Sequence, residues 1–141
     1  MLDSTTIEKK FAESERRLLE LQSKLEKVTD FIENASAPLH WVNSRAEIIW
    51  ANQAEVDMLG YTKEEYIGRS IVDFHVDKQG IKNLLQRLQQ NEVIKDFSAQ
   101  LICKDGSVRD VLISSSTYRQ NEKFVHTRCF TRDVTTLKQE E

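Results

Sequence analysis

The sequence contains few of the residues that break or cross-link a chain: one proline, four glycines and two cysteines among 141 residues. Two cysteines without CxxC spacing argue against a disulfide framework and a structural zinc site. No apolar run is long enough to cross a bilayer, and Met1 is followed by a polar segment instead of a signal peptide. We therefore expect a chain without membrane insertion, in a reducing, cytoplasmic setting.

Charge of one sign is also lacking. The 20 basic and 23 acidic side chains are well mixed and give a net charge of −3. A nucleic-acid partner would need a basic stripe, which the sequence does not contain. Hydrophobic residues make up 39% and charged residues 30%, a composition typical of one globular domain with an exposed helical appendage.

The first 33 residues contain neither proline nor glycine and follow a heptad pattern, which predicts one long amphipathic helix over 1–33. Its apolar positions recur at alternating spacings of four and three, with Ser14 as one polar interruption. They are Ile7, Phe11, Leu18, Leu21, Leu25, Val28 and Ile32. A stripe this narrow favours the seam of a parallel coiled-coil dimer. The alternative is a helix that lies on its own domain.

Residues 34–96 alternate short β-prone runs with helix start signals. The runs 39–42 and 47–50 surround a turn and predict a hairpin. Asn52 is a candidate N-cap for a helix that ends at Gly60, and Thr62 with Glu65 has the spacing of a capping box. A short helical turn is expected near 71–75. A longer helix is expected after it, from Asp77 to about residue 90.

Three β-prone runs follow between Phe97 and Thr135. Asp105-Gly106 separates the first two and predicts a hairpin with a type I′ turn, while residues 120–122 separate the last two. The runs form an antiparallel meander, which needs helices to cover its apolar face. The predicted fold class is α+β.

Three stretches in this order resemble the PAS domain family: IIWANQAEVDMLGYTKEEYIGRS at 48–70, KDGSVRDVLIS at 104–114 and FTRDVT at 130–135. The resemblance implies a five-stranded antiparallel sheet with short helices on one face, covering residues 34–136, and a linker helix that begins at 137–141. It also implies a sensory module upstream of an effector such as a histidine kinase or a cyclic-dinucleotide enzyme, as in two-component systems.

The resemblance further implies a pocket between the sheet and the helices. The candidate pocket residues are His40, Val42, Trp50, Met58, Phe74, Leu84, Leu88, Leu101, Val111, Ile113, Thr127 and Cys129. Strand alternation puts Val125 and Thr131 on this inner face and Phe124 and Phe130 on the outer face. The outer face, with Val108, Leu112 and Tyr118, needs cover from the N-terminal helix or a partner subunit's sheet. Trp41 and Trp50 are expected on opposite faces of the first hairpin or near its rim.

Cofactor chemistry has little support in the sequence. The flavin-binding light sensors of the family carry a cysteine after the short helices, but 68–74 contains none, so flavin-adduct chemistry is not expected. His75 lies near the place of a haem ligand in some relatives, although an exposed or capping histidine explains it more simply. His40 and His126 have no spacing that predicts a metal site. Cys103 and Cys129 are interpreted as small core residues, and no set of catalytic residues is visible.

Asp133 and Thr135 end the last strand, and by resemblance this junction couples the domain to the next helix. Three functions remain open. The first is a sensory and dimerisation module that relays the state of a ligand or partner through flanking helices to an effector in a longer parent chain. The second is a receptor that holds haem or another small molecule. The third is a structural spacer whose pocket is filled by its own side chains.

Overall fold

The heptad pattern forms a single helix, α1, from Ser4 to Glu33 in the computed structural model, which describes residues 3–139. Residues 1 and 2 of the predicted helix, and 140 and 141 of the predicted linker helix, lie outside the described residues. The chain divides into one unit that ends at Ile32 and a second that begins at Glu33. In α1 the predicted seam is exposed from Ile7 to Val28, with values between 54% at Ile7 and 66% at Leu25, and Ile32 at its end is half-buried.

The second unit is an α+β fold built on one antiparallel sheet of five strands, as predicted. The strands are β1 Leu39–Val42, β2 Ile48–Ala51, β3 Ile94–Ile102, β4 Val108–Gln120 and β5 Lys123–Asp133. Their order across the sheet is β2-β1-β5-β4-β3, so the first and last strands are neighbours at the centre. The helices are α2 Gln53–Leu59, α3 Lys63–Tyr66, α4 Lys78–Gln89 and α5 Thr135–Gln139, with a 3₁₀ turn at Ile71–Phe74.

The predicted caps define where the short helices begin. The Asn52 side chain accepts a hydrogen bond from the Glu55 amide, which starts α2, and Gly60 ends it with a φ of 85° that favours glycine. The Thr62 hydroxyl accepts from the Glu65 amide while the Glu65 carboxylate accepts from the Thr62 amide, which completes the capping box of α3. These local bonds fix which face α2 and α3 turn toward the sheet.

The two turns of the meander differ from the prediction. At the first, only Gly106 has a positive φ, of 85°, and its amide donates to the Cys103 carbonyl, so the predicted type I′ turn at Asp105-Gly106 is wrong. At the second, Asn121 and Glu122 have φ values of 50° and 64° between the paired residues Gln120 and Lys123. The two-residue primed turn is therefore at 121–122, where it fits the strand twist.

The core lies between the sheet and the helices α2, α3 and α4. Its buried apolar residues are Val42, Ile48, Ala51, Val56, Leu59, Tyr66, Ile71, Phe74, Ile81, Leu84, Leu88, Ile94, Leu101, Cys103, Val111 and Ile113. Burying a side chain of this kind contributes about 1.5–3 kcal/mol relative to leaving it exposed. The cluster therefore anchors the helices that cover the meander.

A β-bulge at Val125 reverses two of the predicted face assignments. Tyr118 pairs with His126, but the next residue, Arg119, pairs with Phe124, so Val125 is the extra residue and is 36% exposed. The Arg119 guanidinium donates to the Gln89 carbonyl of α4, which identifies its side of the sheet as the helix-facing one. Since directly paired residues share a face, Phe124 also lies on the helix-facing side. The predicted alternation of inner and outer faces along β5 therefore holds from Thr131 back to the bulge at Val125 and fails before it.

Candidate functional site

A row of small polar and titratable side chains crosses the helix-facing side of the sheet. His40 on β1 is the cross-strand partner of Cys129 on β5, and Cys129 is also the partner of Ser115 on β4. The three residues are 4%, 8% and 4% exposed, respectively. We call these three residues the polar row. Strand alternation puts each of them against the helices.

Glu55 and Tyr66 meet the polar row from the helix layer. Glu55 is completely buried in the first turn of α2, and its Oε2 atom lies 3.2 Å from His40 Nδ1. The Tyr66 hydroxyl of α3 donates to the same oxygen at 3.1 Å. The His40–Glu55 contact is an ion pair by distance and not a well-aligned hydrogen bond. The helices that Asn52 and Thr62 cap thus bring a carboxylate to His40 and a phenol to that carboxylate.

The electrostatics of this cluster favour a charged pair. Burial alone would lower the pKa of His40, but the neighbouring Cys129 and Glu55 raise it well above 6.5. Burial would raise the pKa of Glu55, but the His40 charge and the hydroxyl groups of Tyr66 and Thr131 lower it below 4.5. Burial and the Glu55 charge raise the pKa of Tyr66 above 10.0. Both directions favour an imidazolium next to a carboxylate in the interior.

Several polar atoms around the pair have no hydrogen-bond partner within residues 3–139. They are Glu55 Oε1, Ser115 Oγ and Thr131 Oγ1, and each belongs to a residue that is at most 4% exposed. The Thr131 hydroxyl lies beside the Glu55 carboxylate without the geometry of a hydrogen bond. Since buried polar atoms are nearly always hydrogen-bonded, these atoms are suited to a small polar molecule, such as water or a ligand.

His75 lies close to the cluster but has a different character. It follows the 3₁₀ turn as its C-cap, before α4, so the capping alternative holds, and at 2% exposure the exposed alternative does not. Burial, with the His40 charge as the second cause, lowers its pKa from 6.5 to about 4. His75 stands between two helical segments and not on a helix face, and its role as a haem ligand stays a prediction.

Ten of the twelve candidate pocket residues are buried on the helix-facing side, and their role as ligand contacts stays a prediction. These ten are His40, Val42, Phe74, Leu84, Leu88, Leu101, Val111, Ile113, Thr127 and Cys129. Met58 is half-buried and lines an open groove of about 510 Å³ beside the β3–β4 turn. Trp50 lies on the other side of the sheet, because it pairs directly with Trp41 and not with the row that contains His40.

An aromatic row occupies the outer face of the sheet. The Trp41 and Trp50 rings lie 4.8 Å apart, so the expectation that they fall on opposite faces is wrong. The His126 ring stacks on Trp41 at 4.4 Å and lies 5.2 Å from Tyr118. Phe130 is on the same face, and it is 39% exposed. We call Trp50, Trp41, His126 and Tyr118 the aromatic row.

Asp133 and Thr135, the D-x-T residues at the end of β5, fasten this end to β4. Asp133 Oδ1 accepts from the Thr135 amide at 2.9 Å and from the Thr135 hydroxyl at 2.6 Å. The Asp110 amide donates to Thr135 Oγ1 at 2.9 Å, and Arg109 lies 3.6 Å from Asp133. These contacts fix the direction in which the chain enters α5.

Sequence reasoning missed Glu55, Tyr66 and Ser115. One signal for Glu55 was present: it stands four residues before Leu59, and residues at this spacing share a helix face, so a buried Leu59 implies a buried Glu55. Its partner His40 is 15 positions away in the sequence, which no local pattern connects. Ser115 sits in a run of three serines and gives no such signal.

Two negative findings concern the described residues. Within 3–139 there is no group of three or more His, Cys, Asp or Glu side chains arranged to hold a metal ion. In the same range, none of the helices has the length and apolar character that crossing a bilayer requires.

Comparison with known proteins agrees with this architecture. The PAS domain of an HTR-like protein from Haloarcula marismortui has a TM-score of 0.74 and 23% identity, covering 84% of this chain and 98% of that one. A PAS domain from Colwellia psychrerythraea gives 0.72 and 20%, covering 79% and 98%. The PAS domain of a two-component sensor histidine kinase gives 0.66 and 18%, covering 79% and 97%. A search of curated proteins gave no match.

These structural likenesses establish the fold. The family follows from the sequence itself, since a family model described as a PAS domain matches residues 36–136, which is more than half of the chain. The polar row, the covering helices and the D-x-T end of β5 all lie inside the matched region. The chain therefore belongs to the PAS domain family.

Proposed function

We propose that this chain is a cytoplasmic sensory and dimerisation module that relays the state of its interior through flanking helices to an effector in a longer parent chain. A histidine kinase or a cyclic-dinucleotide enzyme is the expected effector. The observation that carries the proposal is the course of β5. Strand β5 contains Cys129 of the polar row and Thr131, which lies beside Glu55. The same strand ends at Asp133, whose carboxylate accepts a hydrogen bond from the Thr135 amide at the start of α5.

A change in the charge or hydrogen bonding of the interior acts directly on this strand. Cys129 is four residues from Asp133, and both belong to the ladder with β4. The Asp133–Thr135–Asp110 contacts then transmit a shift of β5 to the direction of α5. A relay of this kind needs a two-state element, for which β5 and the residues that fasten it are our candidate.

Dimerisation is proposed through the seam of α1 and the outer face of the sheet. Leu21 and Leu25 are 62% and 66% exposed at consecutive seam positions. Apolar side chains repeated at heptad spacing are buried when a second helix supplies the matching holes. The aromatic row offers a second apolar surface to a partner subunit, because Tyr118 is 36% exposed.

Light scattering of the full chain at high micromolar concentration tests the dimer. We expect a dimer for the unmodified chain and a monomer for the double variant Leu21→Asp/Leu25→Asp. A dimer of the variant would bury two carboxylates per helix in the seam without a partner for their charge, which is costly. Leu19→Asp is the matched control, because Leu19 is 65% exposed on the same helix but outside the seam. A monomeric unmodified chain, or equal disruption by Leu19→Asp, contradicts the proposed seam.

A second candidate function is a receptor for a small polar molecule, favoured by the unpartnered atoms of Glu55, Ser115 and Thr131. Native mass spectrometry of the purified chain, compared with the denatured chain, detects such a molecule as additional mass. A haem-bearing receptor would show a Soret band that is lost in His75→Ala. If both measurements give the bare chain, the spacer with a self-filled interior becomes the better description.

A further inference from the structure

The two cysteines are equally buried but have different surroundings. Cys103 is 6% exposed beside the β3–β4 turn, where its amide donates to the Ser107 carbonyl. Cys129 is 8% exposed at the centre of the sheet, and His40 is its cross-strand partner. None of the histidines in the described strands is the cross-strand partner of Cys103. The chain thus contains a histidine-paired thiol and an internal control thiol.

The neighbours of Cys129 stabilise a thiolate. His40 is the cross-strand partner of Cys129, and Glu55 lies 3.2 Å from His40 Nδ1, where its carboxylate favours the charged form of the ring. Thr127 Oγ1 accepts from the Val42 amide and lies 3.3 Å from Cys129 Sγ, which leaves its hydroxyl proton available to the sulfur. Burial would raise the pKa of Cys129, but the His40 charge lowers it below 9.0.

The unpartnered polar atoms indicate what can approach this thiol. Ser115 Oγ lies on the cross-strand partner of Cys129, and Thr131 Oγ1 lies two residues along β5 on the same face. Glu55 Oε1 adds an acceptor from α2. A molecule with both hydrogen-bond donors and acceptors fits this set, and the burial of all three residues admits only a small one, through local opening of the fold.

We propose that Cys129 and His40 form a reactive site for hydroperoxides, in which hydrogen peroxide oxidises Cys129 to a sulfenic acid. The inference concerns the same interior cluster as the proposed sensory function. Its chemistry is measured at the thiol without any signalling readout, so either claim can fail while the other stands.

The reaction balances with the groups present. The Cys129 thiolate attacks one peroxide oxygen, so that a sulfur–oxygen bond forms and the oxygen–oxygen bond breaks. The sulfur loses two electrons to the peroxide. The departing hydroxide takes a proton from the His40 imidazolium and leaves as water, and the products are the sulfenic acid, water and neutral imidazole. Oxidation therefore removes the anion beside His40 and also takes the charge from its ring.

The consequence for the cluster is a change of charge in the centre of the sheet. His40 is also faced by Glu55 from α2, and Tyr66 and His75 complete the titratable groups around the cluster. After oxidation, Glu55 lacks its cationic partner until His40 is protonated again. A hydroperoxide signal would thus reach β5 as the loss of a buried ion pair.

The test compares both cysteines in one molecule. The reduced full chain is treated with hydrogen peroxide at neutral pH, the peroxide is removed with catalase, and the chain is unfolded in urea with dimedone to trap sulfenic acid. Peptide mass spectrometry then quantifies each cysteine. We expect Cys129 to react at least about tenfold faster than Cys103, since the thiolate is the nucleophile. Its rate should also rise less steeply between about pH 6 and pH 8 than that of an ordinary thiol.

A variant separates the role of His40 from burial alone. His40→Asn should slow oxidation of Cys129 about tenfold at neutral pH and restore an ordinary rise of the rate with pH, while Cys103 is unchanged. If His40→Asn fails to fold, the comparison of the two cysteines in the unmodified chain still decides. Oxidation of Cys129 that is no faster than that of Cys103, or a pH dependence of its rate that is the same with and without His40, overturns the proposal.

Discussion

On the helix-facing side of the sheet, His40, Ser115 and Thr131 are at most 4% exposed, whereas on the outer side Tyr118 and Phe130 are 36% and 39% exposed. A sheet with one solvated face normally has its polar side chains outward and its apolar ones toward the core. Here the buried face includes a row of polar groups and the outer face carries aromatic rings. The sheet therefore has a buried polar face and a partly exposed aromatic face, and the two faces support different proposals: a reactive interior and a dimer contact on the exterior.

Removing the Glu55 carboxylate from the interior should have the largest effect on the free energy of unfolding. In Glu55→Gln the buried His40 loses its counter-charge, and breaking one partner of a buried ion pair costs about 3–5 kcal/mol of the free energy of unfolding. Urea unfolding followed by tryptophan fluorescence measures the loss. Asp57→Asn is the control, because Asp57 is exposed on the same helix and should change stability by less than about 0.5 kcal/mol. A loss of less than about 1 kcal/mol in Glu55→Gln contradicts a buried charged pair.

His75 gives the interior a pH dependence that the outer face lacks. Its pKa is lowered in the folded chain from 6.5 to about 4, so the unfolded chain takes up the proton first as the pH falls. The stability that His75 contributes is present above pH 6.5 and is lost as the pH falls toward 4. Between about pH 7.5 and pH 5 the loss is about 2 kcal/mol.

Urea unfolding of the unmodified chain and of His75→Gln at both pH values measures this contribution. The difference between the two proteins isolates the histidine from the carboxylates that also titrate in acid. We expect the unmodified chain to lose about 2 kcal/mol more than the variant on going to about pH 5. Equal losses in both proteins would show that His75 is protonated as easily in the fold as in the unfolded chain.

The smallest effect is expected on the outer face. Tyr118→Ser removes one ring of the aromatic row, whose centroid lies 5.2 Å from that of His126, and should lower the free energy of unfolding by less than about 1 kcal/mol. The same urea experiment measures it. A loss comparable with that of Glu55→Gln would mean that the outer row supports the fold as much as the interior does, and the contrast between the two faces would disappear.

The sequence predicted those features that local bonds determine. Asn52 and Thr62 are caps because their side chains accept hydrogen bonds from amides three residues away. This short spacing allows the caps to be recognised from the sequence. The strands and the order of elements followed from alternation and from the resemblance, and the fold was confirmed. The long helix α1 was also predicted, since heptad spacing is a property of the sequence alone, and its use as a dimer seam stays a prediction.

The errors came from features that depend on neighbouring strands. The bulge at Val125 is visible only in the pairing of β4 with β5, and it moves Phe124 to the helix-facing side. Trp41 and Trp50 were assigned to opposite faces because the register of the first hairpin depends on its irregularity between Trp41 and Val42. The His40–Glu55 pair joins a strand to a helix, so it required the tertiary structure.

The pairing of the first strand with the last has a consequence for modular assembly. The Thr131 amide donates to the Pro38 carbonyl at 3.0 Å, so the points where the chain enters and leaves the domain are neighbours. Domains whose ends lie close together tolerate insertion into other chains and removal from them. This domain can therefore be transplanted as a cassette between two helical segments, with little added distance between the segments it interrupts.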